Sequence, residues 1–383
     1  MPVFSVFAVS VSTLFFEVLL NRSFAIGQSV QLAFMVISIA MFGYSAGSIW
    51  LHVRMARPEA RVDRVFRLPL GALPLVAGGS VLAAWVLHVR IPLEVIEVPF
   101  SPIQMLYLAS TFLLLATPFF FAGVITSLGF ARRTSRPGVV YAASMIGSAI
   151  GATMPALLLP RIGFSGCVLL SAGFAAVPSV IRGRVWSRLG SIAFVILIGS
   201  LSVVGPDLAP TPSSYKALQR FMQHPDARIL STEESITGRM DTYDGSGLHA
   251  APGLSLKYRG PIPGQTAVFT DGGAPVALYA ASAAASAADY KFALASVGAA
   301  PFAVIPRPDR VLVVLKGGGS AIAAALASEA SVVNVLAFPA GRAATVASQY
   351  SGLDVAVTGG PLRRSIGKLE DFYDLIMIDH PGS

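Results

Sequence analysis

The sequence predicts an α-helical membrane domain of about seven spans, followed by an α/β domain that combines a small antiparallel sheet with a partial Rossmann-like sheet. Three observations support this prediction. Apolar blocks long enough to cross a bilayer core of about 30 Å recur before residue 206. β-rich runs separated by Gly and Pro fill residues 227–279. From residue 301 onward, short β-rich runs alternate with helical segments.

These changes in composition divide the chain into four parts. Residues 1–205 form the predicted membrane domain, and the segment 206–214, PDLAPTPSS, is a linker. Residues 215–300 are a β-rich subdomain of about four to six strands with flanking helices, of which 280–300 is alanine-rich. Residues 301–383 form the partial Rossmann-like domain, in which a turn at residues 317–319 separates the first strand from a helix.

Charge is distributed unevenly along the chain, whose formal net charge is +8. Residues 1–205 hold 14 arginines, no lysine and five acids, whereas residues 206–383 are close to neutral. An excess confined to the loops of a membrane domain orients helices in a bilayer and does not track a phosphate backbone, so no nucleic-acid partner is expected. The single cysteine, Cys167, and five scattered histidines predict neither a disulfide framework nor a metal site.

The arginines also predict an orientation for the spans. Eleven lie at the loops after spans two, four and six, and three lie at the opposite loops. The positive-inside rule then places the N-terminus in the cytoplasm, and an odd number of spans places residues 206–383 outside the plasma (inner) membrane. The N-terminal stretch lacks a basic n-region and a cleavage site, so it is interpreted as the first span. The seven spans are predicted at about residues 3–22, 30–53, 68–88, 104–131, 138–160, 163–181 and 186–205.

Three polar residues stand near the end of the first predicted span: Glu17, Asn21 and Arg22. A carboxylate at membrane depth costs several kcal/mol unless it is paired or hydrated, so Glu17 is a functional candidate. The alternative is a structural pair between Glu17 and Arg22, or between Glu17 and another helix. Both interpretations stay open at this point.

Residues 310–338 predict a strand, a glycine turn, a helix and a second strand. In nucleotide-binding units of this type the glycines let the backbone approach the ligand, and an acid that ends the second strand holds a ribose hydroxyl. Gly317, Gly318 and Gly319 are therefore candidate cofactor-binding residues, with a purely structural turn as the alternative. The second strand ends at Leu336 and offers no acid. Two further strands, 354–358 and 374–378, leave either a half-sheet or part of a longer one.

The order of these parts resembles the membrane-bound members of the spermidine synthase-like family. That family joins a multi-span block to a small β-domain and an aminopropyltransferase domain of methyltransferase-like Rossmann fold. The resemblance rests on motifs that extend over most of the chain. They are FFEVLLNR (15–22), MFGYSAGS (41–48), GVVYAASMIGSAIGATMPALLLPRIG (138–163), EESITGRM (233–240), VFTDGG (268–273), DRVLVVLKGGG (309–319) and DFYDLIMID (371–379).

The resemblance also implies catalytic residues, most of which this chain lacks. Of a Tyr-His-Glu-like segment before the first strand only Tyr290 is present, and Leu336 stands where the ribose-binding acid is expected. Gly359-Gly360 replaces the Gly-Asp pair that contacts adenine. Of the acidic cluster that binds the polyamine and deprotonates it, Asp379 alone remains, so it is the one residual catalytic candidate.

These losses favour a non-catalytic protein over an enzyme. The leading hypothesis is a pseudoenzyme: a binding or scaffolding subunit of a membrane complex, with no cofactor and with other membrane or extracytoplasmic subunits as partners. An unpaired sheet edge would need such a cover. The alternative is a membrane-tethered aminopropyl- or methyltransferase that uses S-adenosylmethionine or its decarboxylated analogue. A third hypothesis is a transporter in which Glu17 couples to protons.

Overall fold

A computed structural model describes residues 2–56, 70–132, 136–182, 185–204, 208–235, 238–279, 287–315, 317–338, 341–351, 353–369 and 371–379. The chain divides into two compact units, Met1–Ser213 and Ser214–Ser383. In the described residues the first unit is helical, and the second contains two four-stranded sheets. The predicted succession of an apolar helical part and an α/β part is confirmed.

The first unit is built from apolar helices. They are α1 (Pro2–Gly27), α2 (Val30–Met55), α3 (Leu73–His88), α4 (Pro102–Arg132), α5 (Pro137–Arg182) and α6 (Val185–Val204). Four of the described helices, namely α1, α2, α4 and α5, are long and apolar enough to cross a membrane. This confirms the membrane character of the first unit. α3 and α6 contain shorter apolar stretches, and the first residues of the predicted third span, 68 and 69, lie outside the described residues.

Helix α5 is a hairpin of two helical halves. A straight helix of its 46 residues would extend about 69 Å, more than twice the thickness of a bilayer core. The backbone leaves the helical conformation at Gly163, where φ is +63° and ψ is −175°. Ser144 and Ser171 would be about 40 Å apart on a straight helix. They nevertheless contact the same turn of α1: Ser144 Oγ lies 3.1 Å from Ser10 Oγ, and Ser171 Oγ donates to Ser12 O at 3.0 Å. The chain therefore folds back at Gly163.

Glycines set the close contacts between parallel helices. A Cβ atom on Gly151 would lie 3.0 Å from both the Cα and the carbonyl carbon of Val11, and one on Gly147 would lie 2.5 Å from Phe7 O. The backbones of α1 and the first half of α5 therefore touch, and the two helices run in the same direction. The GxxxG spacing of residues 147–151 places both glycines on the face toward α1.

The same arrangement joins α2 to α4. Gly43 of α2 lies against Ala116 and Phe119, and Gly47 lies against Phe120, so these two helices are also parallel to each other. Tyr44 Oη, between the two glycines, lies 2.6 Å from Thr126 Oγ1. The glycines in the predicted spans thus serve packing, as small residues do between membrane helices.

Helix α3 runs antiparallel to the second half of α5. Near its start, Leu75 N–H donates to Ser179 Oγ at 3.1 Å, and near its end Trp85 stacks on Phe164 with ring centroids 6.0 Å apart. Among the described helices, α1 thus shares its direction with the first half of α5, α2 shares its direction with α4, and α3 opposes the second half of α5.

One end of the bundle is closed by hydrogen bonds between segments that are distant in sequence. Ser213 N–H donates to Gly27 O at 2.7 Å, Trp85 Nε1 to Leu208 O at 2.9 Å, and Leu208 N–H to Ser165 Oγ at 2.9 Å. The ends of α1 and α3, the turn of α5 and the segment after α6 therefore lie together. The arginine-rich loop ends at Arg54, Arg132 and Arg182 belong to the opposite end of the bundle.

The second unit begins with α7 (Ala217–Phe221) and an antiparallel meander in the order β1-β2-β3-β4. The strands are β1 (Arg228–Ser235), β2 (Gly238–Asp244), β3 (Gln265–Thr270) and β4 (Val276–Tyr279). Asp271 and Gly272 both have positive φ, at 49° and 65°, in the turn between β3 and β4. The Asp-Gly sequence suits this left-handed pair, as in a type I′ hairpin turn.

The other sheet is wholly parallel, in the order β7-β6-β5-β8. Its strands are β5 (Arg310–Leu315), β6 (Val332–Ala337), β7 (Val355–Gly359) and β8 (Leu375–Asp379). The helices of this region are α8 (Lys291–Leu294), α9 (Ala300–Val304), α10 (Ser320–Ala327), α11 (Gly341–Gln349) and α12 (Leu362–Ile366). The β5 strand is buried from Val311 to Leu315, because it pairs on both sides and α10 packs on it.

The predicted alanine-rich helix at 280–300 is wrong for its described part, 287–300. The chain forms a 3₁₀ turn at Ala287–Tyr290, the short helix α8 and a second 3₁₀ turn at Val297–Ala299. Val297 N–H donates to Gly253 O at 3.0 Å, which draws this segment toward a loop that is distant in sequence. Tyr290 and Phe292 are both buried, and short turns let these near neighbours enter the core together.

We expect Gly151→Ala to destabilise the first unit by about 1–3 kcal/mol, because its Cβ atom would overpack the α1 backbone. The matched control is Gly79→Ala in α3, where no atom lies within 4 Å of an added Cβ. Thermal unfolding in detergent should show a lowered midpoint for Gly151→Ala only. Equal midpoints for the two variants would refute the close contact of α1 with α5.

Candidate crevice at the carboxyl end of the parallel sheet

The candidate site lies where β5 and β8 end, beside the start of α10. The strand order is β7-β6-β5-β8. From β5 the chain continues to β6 and β7 on one side, and it then returns to add β8 on the other side of β5. In open parallel sheets, ligands bind outside the carboxyl ends of the strands at such a reversal of strand order. The glycine turn, Asp379 and the first residue of α10, Ser320, all belong to this edge.

The glycine turn is hydrogen-bonded to the protein itself. Gly317 N–H donates to the backbone oxygen of Asp379 at 3.0 Å, and Gly319 N–H donates to Ala277 O at 2.7 Å. The backbone oxygen of Gly317 accepts from Arg342 Nη1 at 2.8 Å. Two of the amides that could face a phosphate or nucleoside are therefore already engaged by backbone oxygens.

The glycines of this turn are needed for space. Neither Gly318 nor Gly319 has a positive φ. A Cβ atom on Gly318 would lie 2.8 Å from Ala277 O, and one on Gly319 would lie 2.5 Å from Tyr350 Oη. Strand β4 and the Tyr350 side chain thus occupy the space beside the turn. This agrees with the structural alternative for the turn, since the backbone approaches protein atoms there.

A buried arginine and a buried carboxylate flank the turn. Arg342, in the first turn of α11, is 3% exposed, and Asp379, the last residue of β8, is 8% exposed. Burial lowers the pKa of the Arg342 guanidinium, and the negative charge of Asp379 acts in the opposite direction. Asp379 is therefore part of an internal electrostatic pair. Sequence reasoning missed Arg342, although it is the one cation of its helix and follows the second strand closely.

Three buried tyrosines complete the cluster: Tyr279, Tyr290 and Tyr350. Burial and then the nearby Asp379 charge raise the pKa of Tyr279 to about 12, and its hydroxyl donates to Ala250 O at 3.0 Å. Burial also raises the pKa of Tyr350, with Tyr290, Tyr279 and Asp379 as further neighbours. At neutral pH these groups are uncharged phenols, so the charges of this cluster are Arg342 and Asp379.

A cavity of about 440 Å³ opens next to the turn. Asp379 is the one ionisable residue among the described residues that line it. The remaining lining is largely apolar and includes Val297, Pro301, Ile376 and Ile378. This crevice suits an apolar occupant better than a polycationic amine, which needs several carboxylates.

The other family-derived positions can be placed only in part. Leu336 is buried at the end of β6, and Gly359 ends β7, so both stand at the sheet edge where the resemblance implies ligand contacts. Residue 316, before the glycine turn, and residues 380–383, after Asp379, lie outside the described residues. No cluster of three or more His, Cys, Asp or Glu that could hold a metal ion occurs in the described residues.

The polar residues of the predicted first span lie on α1, in the first unit. Glu17, Asn21 and Arg22 are each partly buried. Within the part of the chain that the structure describes, the Glu17 carboxylate makes no hydrogen bond or ion pair. The alternative interpretation, a structural pair between Glu17 and Arg22, is therefore not observed among the described residues.

Searches of known protein families, of curated proteins and of solved structures find nothing that matches this chain. The arguments about its function therefore rest on the residues and their geometry.

We expect Gly319→Ala to destabilise the second unit by about 1–3 kcal/mol, because the new methyl group meets the Tyr350 hydroxyl. In a Tyr350→Phe background the same change should cost less, since the clashing oxygen is absent. Thermal unfolding of the four proteins of this double-mutant cycle measures the coupling. Gly298→Ala is the control, because its nearest contact is at 3.7 Å. Additive effects of the two changes would contradict a turn packed against Tyr350.

Proposed function

We propose that this chain is a non-catalytic, spermidine synthase-like subunit of a membrane complex. Its α/β domain binds other subunits and carries out no aminopropyl or methyl transfer. The observation that carries this proposal is that protein atoms already occupy the hydrogen-bonding groups and the space of the glycine turn. Gly317 and Gly319 donate their amides to Asp379 O and Ala277 O, and the Tyr350 hydroxyl lies beside Gly319.

The strand order supports the Rossmann-like part of this proposal. With β5 as the first strand, the order β7-β6-β5-β8 corresponds to 3-2-1-4, as in doubly wound nucleotide-binding sheets. The polar half of such a site is missing: Leu336 and Gly359 offer no carboxylate, and Asp379 is held beside Arg342. Aminopropyl transfer needs carboxylates both to bind the polycationic amine and to take a proton from the attacking nitrogen, and a single buried carboxylate supplies only one of these roles.

The outer edge of the parallel sheet supports the partner-binding role. β8 pairs with β5, and no strand among the described residues covers its other side. Phe372, Ile376 and Ile378 are exposed, at 93%, 58% and 75% of their surface. An open, apolar sheet edge is a template for another chain, so a subunit that covers this edge is expected.

The described helices of the first unit, which make seven segments when α5 is counted as two, support a seven-span topology with the N-terminus in the cytoplasm and the α/β domain outside. Arg54, Arg132 and Arg182, which flank the arginine-rich loops, lie at one end of the bundle, which the positive-inside rule assigns to the cytoplasm. The segment 208–213 lies at the opposite end, beside Gly27 and Trp85. An outside location separates the domain from the cytoplasmic adenosyl cofactors.

Calorimetry of the full chain in a mild detergent tests the proposal. Titration with S-adenosylmethionine, and separately with its decarboxylated analogue, should give no saturable heat. The same detergent should release the chain from native membranes together with other subunits in fixed stoichiometry. Saturable binding that Asp379→Asn abolishes would establish the alternative, a membrane-tethered transferase. Purification of the chain as a monomer without other subunits would contradict the scaffolding role.

A further inference from the structure

A second cavity, of about 320 Å³, lies in the first unit at the end of the bundle that holds Gly27 and His88. The end of α1, the segment 88–94 and the segment 210–213 form its walls. It is separate from the crevice of the parallel sheet and plays no part in the function proposed above.

Hydrogen bonds hold the walls of this cavity in place. Gln28 Nε2 donates to Leu93 O at 2.5 Å, and Gln104 Oε1 accepts from Glu94 N–H at 3.0 Å. The Glu94 carboxylate accepts a hydrogen bond from Ser213 Oγ. The amide of Gln28 and the single carboxylate of the lining are thus engaged in building the wall, and Gln104 supports it from outside the lining, so the cavity is a formed feature of the fold.

The polar groups left over in this cavity are mostly donors. Arg90, Ser23 and Thr211 line it, and their side chains make no hydrogen bond or ion pair within the described residues. The His88 ring also lines it, packed beside Phe24 with ring centroids 5.2 Å apart, and its Nδ1 has no hydrogen-bond partner in the described part of the chain. The lining therefore includes an exposed arginine, an exposed threonine, a buried serine and a partly buried histidine, and its one carboxylate, that of Glu94, is hydrogen-bonded to Ser213.

We propose that this cavity binds a phosphate group. A guanidinium with neighbouring hydroxyls matches the tetrahedral oxyanion, which accepts several charge-assisted hydrogen bonds at once. Arg90 supplies the charge, Ser23 and Thr211 donate from the side walls, and His88 supplies a polar ring at the apolar end beside Phe24. The phosphate belongs either to a small solute or to the headgroup of an anionic lipid, since the cavity lies at an end of an apolar bundle.

The test uses the full chain in a lipid-free maltoside detergent, and the measured quantity is its thermal unfolding midpoint. One arm adds inorganic phosphate at constant ionic strength, with chloride as the reference salt. The other arm adds phosphatidylglycerol and follows retained lipid by native mass spectrometry. A bound ligand raises the midpoint by mass action, so titration yields an apparent affinity in either arm.

Arg90→Gln should weaken the affinity about tenfold or more, because the one cation of the lining is lost. Arg161→Gln is the matched control. Arg161 lies close to the turn at Gly163, at the same end of the bundle, but does not line the cavity. Thr211→Val is a second variant, chosen in case Arg90→Gln does not fold, and it should weaken binding several-fold by removing one donor.

Stabilisation by phosphate that Arg90→Gln or Thr211→Val weakens, and Arg161→Gln does not, would establish the site with a soluble ligand. The same pattern with phosphatidylglycerol alone would establish a lipid headgroup as the source. The proposal is overturned if neither ligand stabilises the chain, or if the cavity variants bind as tightly as Arg161→Gln.

Discussion

The direction of the whole bundle after residue 163 depends on one backbone conformation. Gly163 has φ of +63° and ψ of −175°, a region that residues with a Cβ atom rarely enter. No atom lies within 4 Å of a Cβ built there, so the requirement for glycine is conformational and does not arise from crowding. The turn brings Ser144 and Ser171 to the same level of α1. It also reverses the direction of every segment that follows, and so decides at which end of the bundle the segment 208–213 emerges.

Much of this fold could be predicted because its signals are local. Hydropathy places the helices, since an apolar stretch in a membrane satisfies its backbone only as a helix. Residues 310–338 form the predicted strand, turn, helix and strand, and the strands predicted at 354–358 and 374–378 lie within one residue of their observed bounds. The failure at 287–300 has a non-local cause, because the contact between Val297 and Gly253 overrides the helical preference of alanine. The break in α5 fell between two predicted spans, but its geometry could not be read from composition.

The position of the candidate site could be predicted from the sequence, but the side chains that fill it could not. The glycine turn follows from its place after a strand, and the loss of acids at Leu336 and Gly359 is visible in the sequence. That β4 and Tyr350 fill the space beside the turn depends on contacts between residues far apart in the chain, which no local pattern encodes. Arg342 could not be predicted for the same reason, because its hydrogen bond to Gly317 O and its attraction to Asp379 join residues far apart in the chain. The phosphate cavity likewise joins three segments that are separated by many residues.

The sidedness of the C-terminus tests the account most directly. Fusing residue 383 to a reporter that is active only in the cytoplasm, and in a second fusion to one active only outside it, measures this side without purification. The proposed seven-span topology predicts activity of the outside reporter alone. Activity of the cytoplasmic reporter alone would contradict the seven-span topology, and it would return the α/β domain to the compartment that supplies adenosyl cofactors.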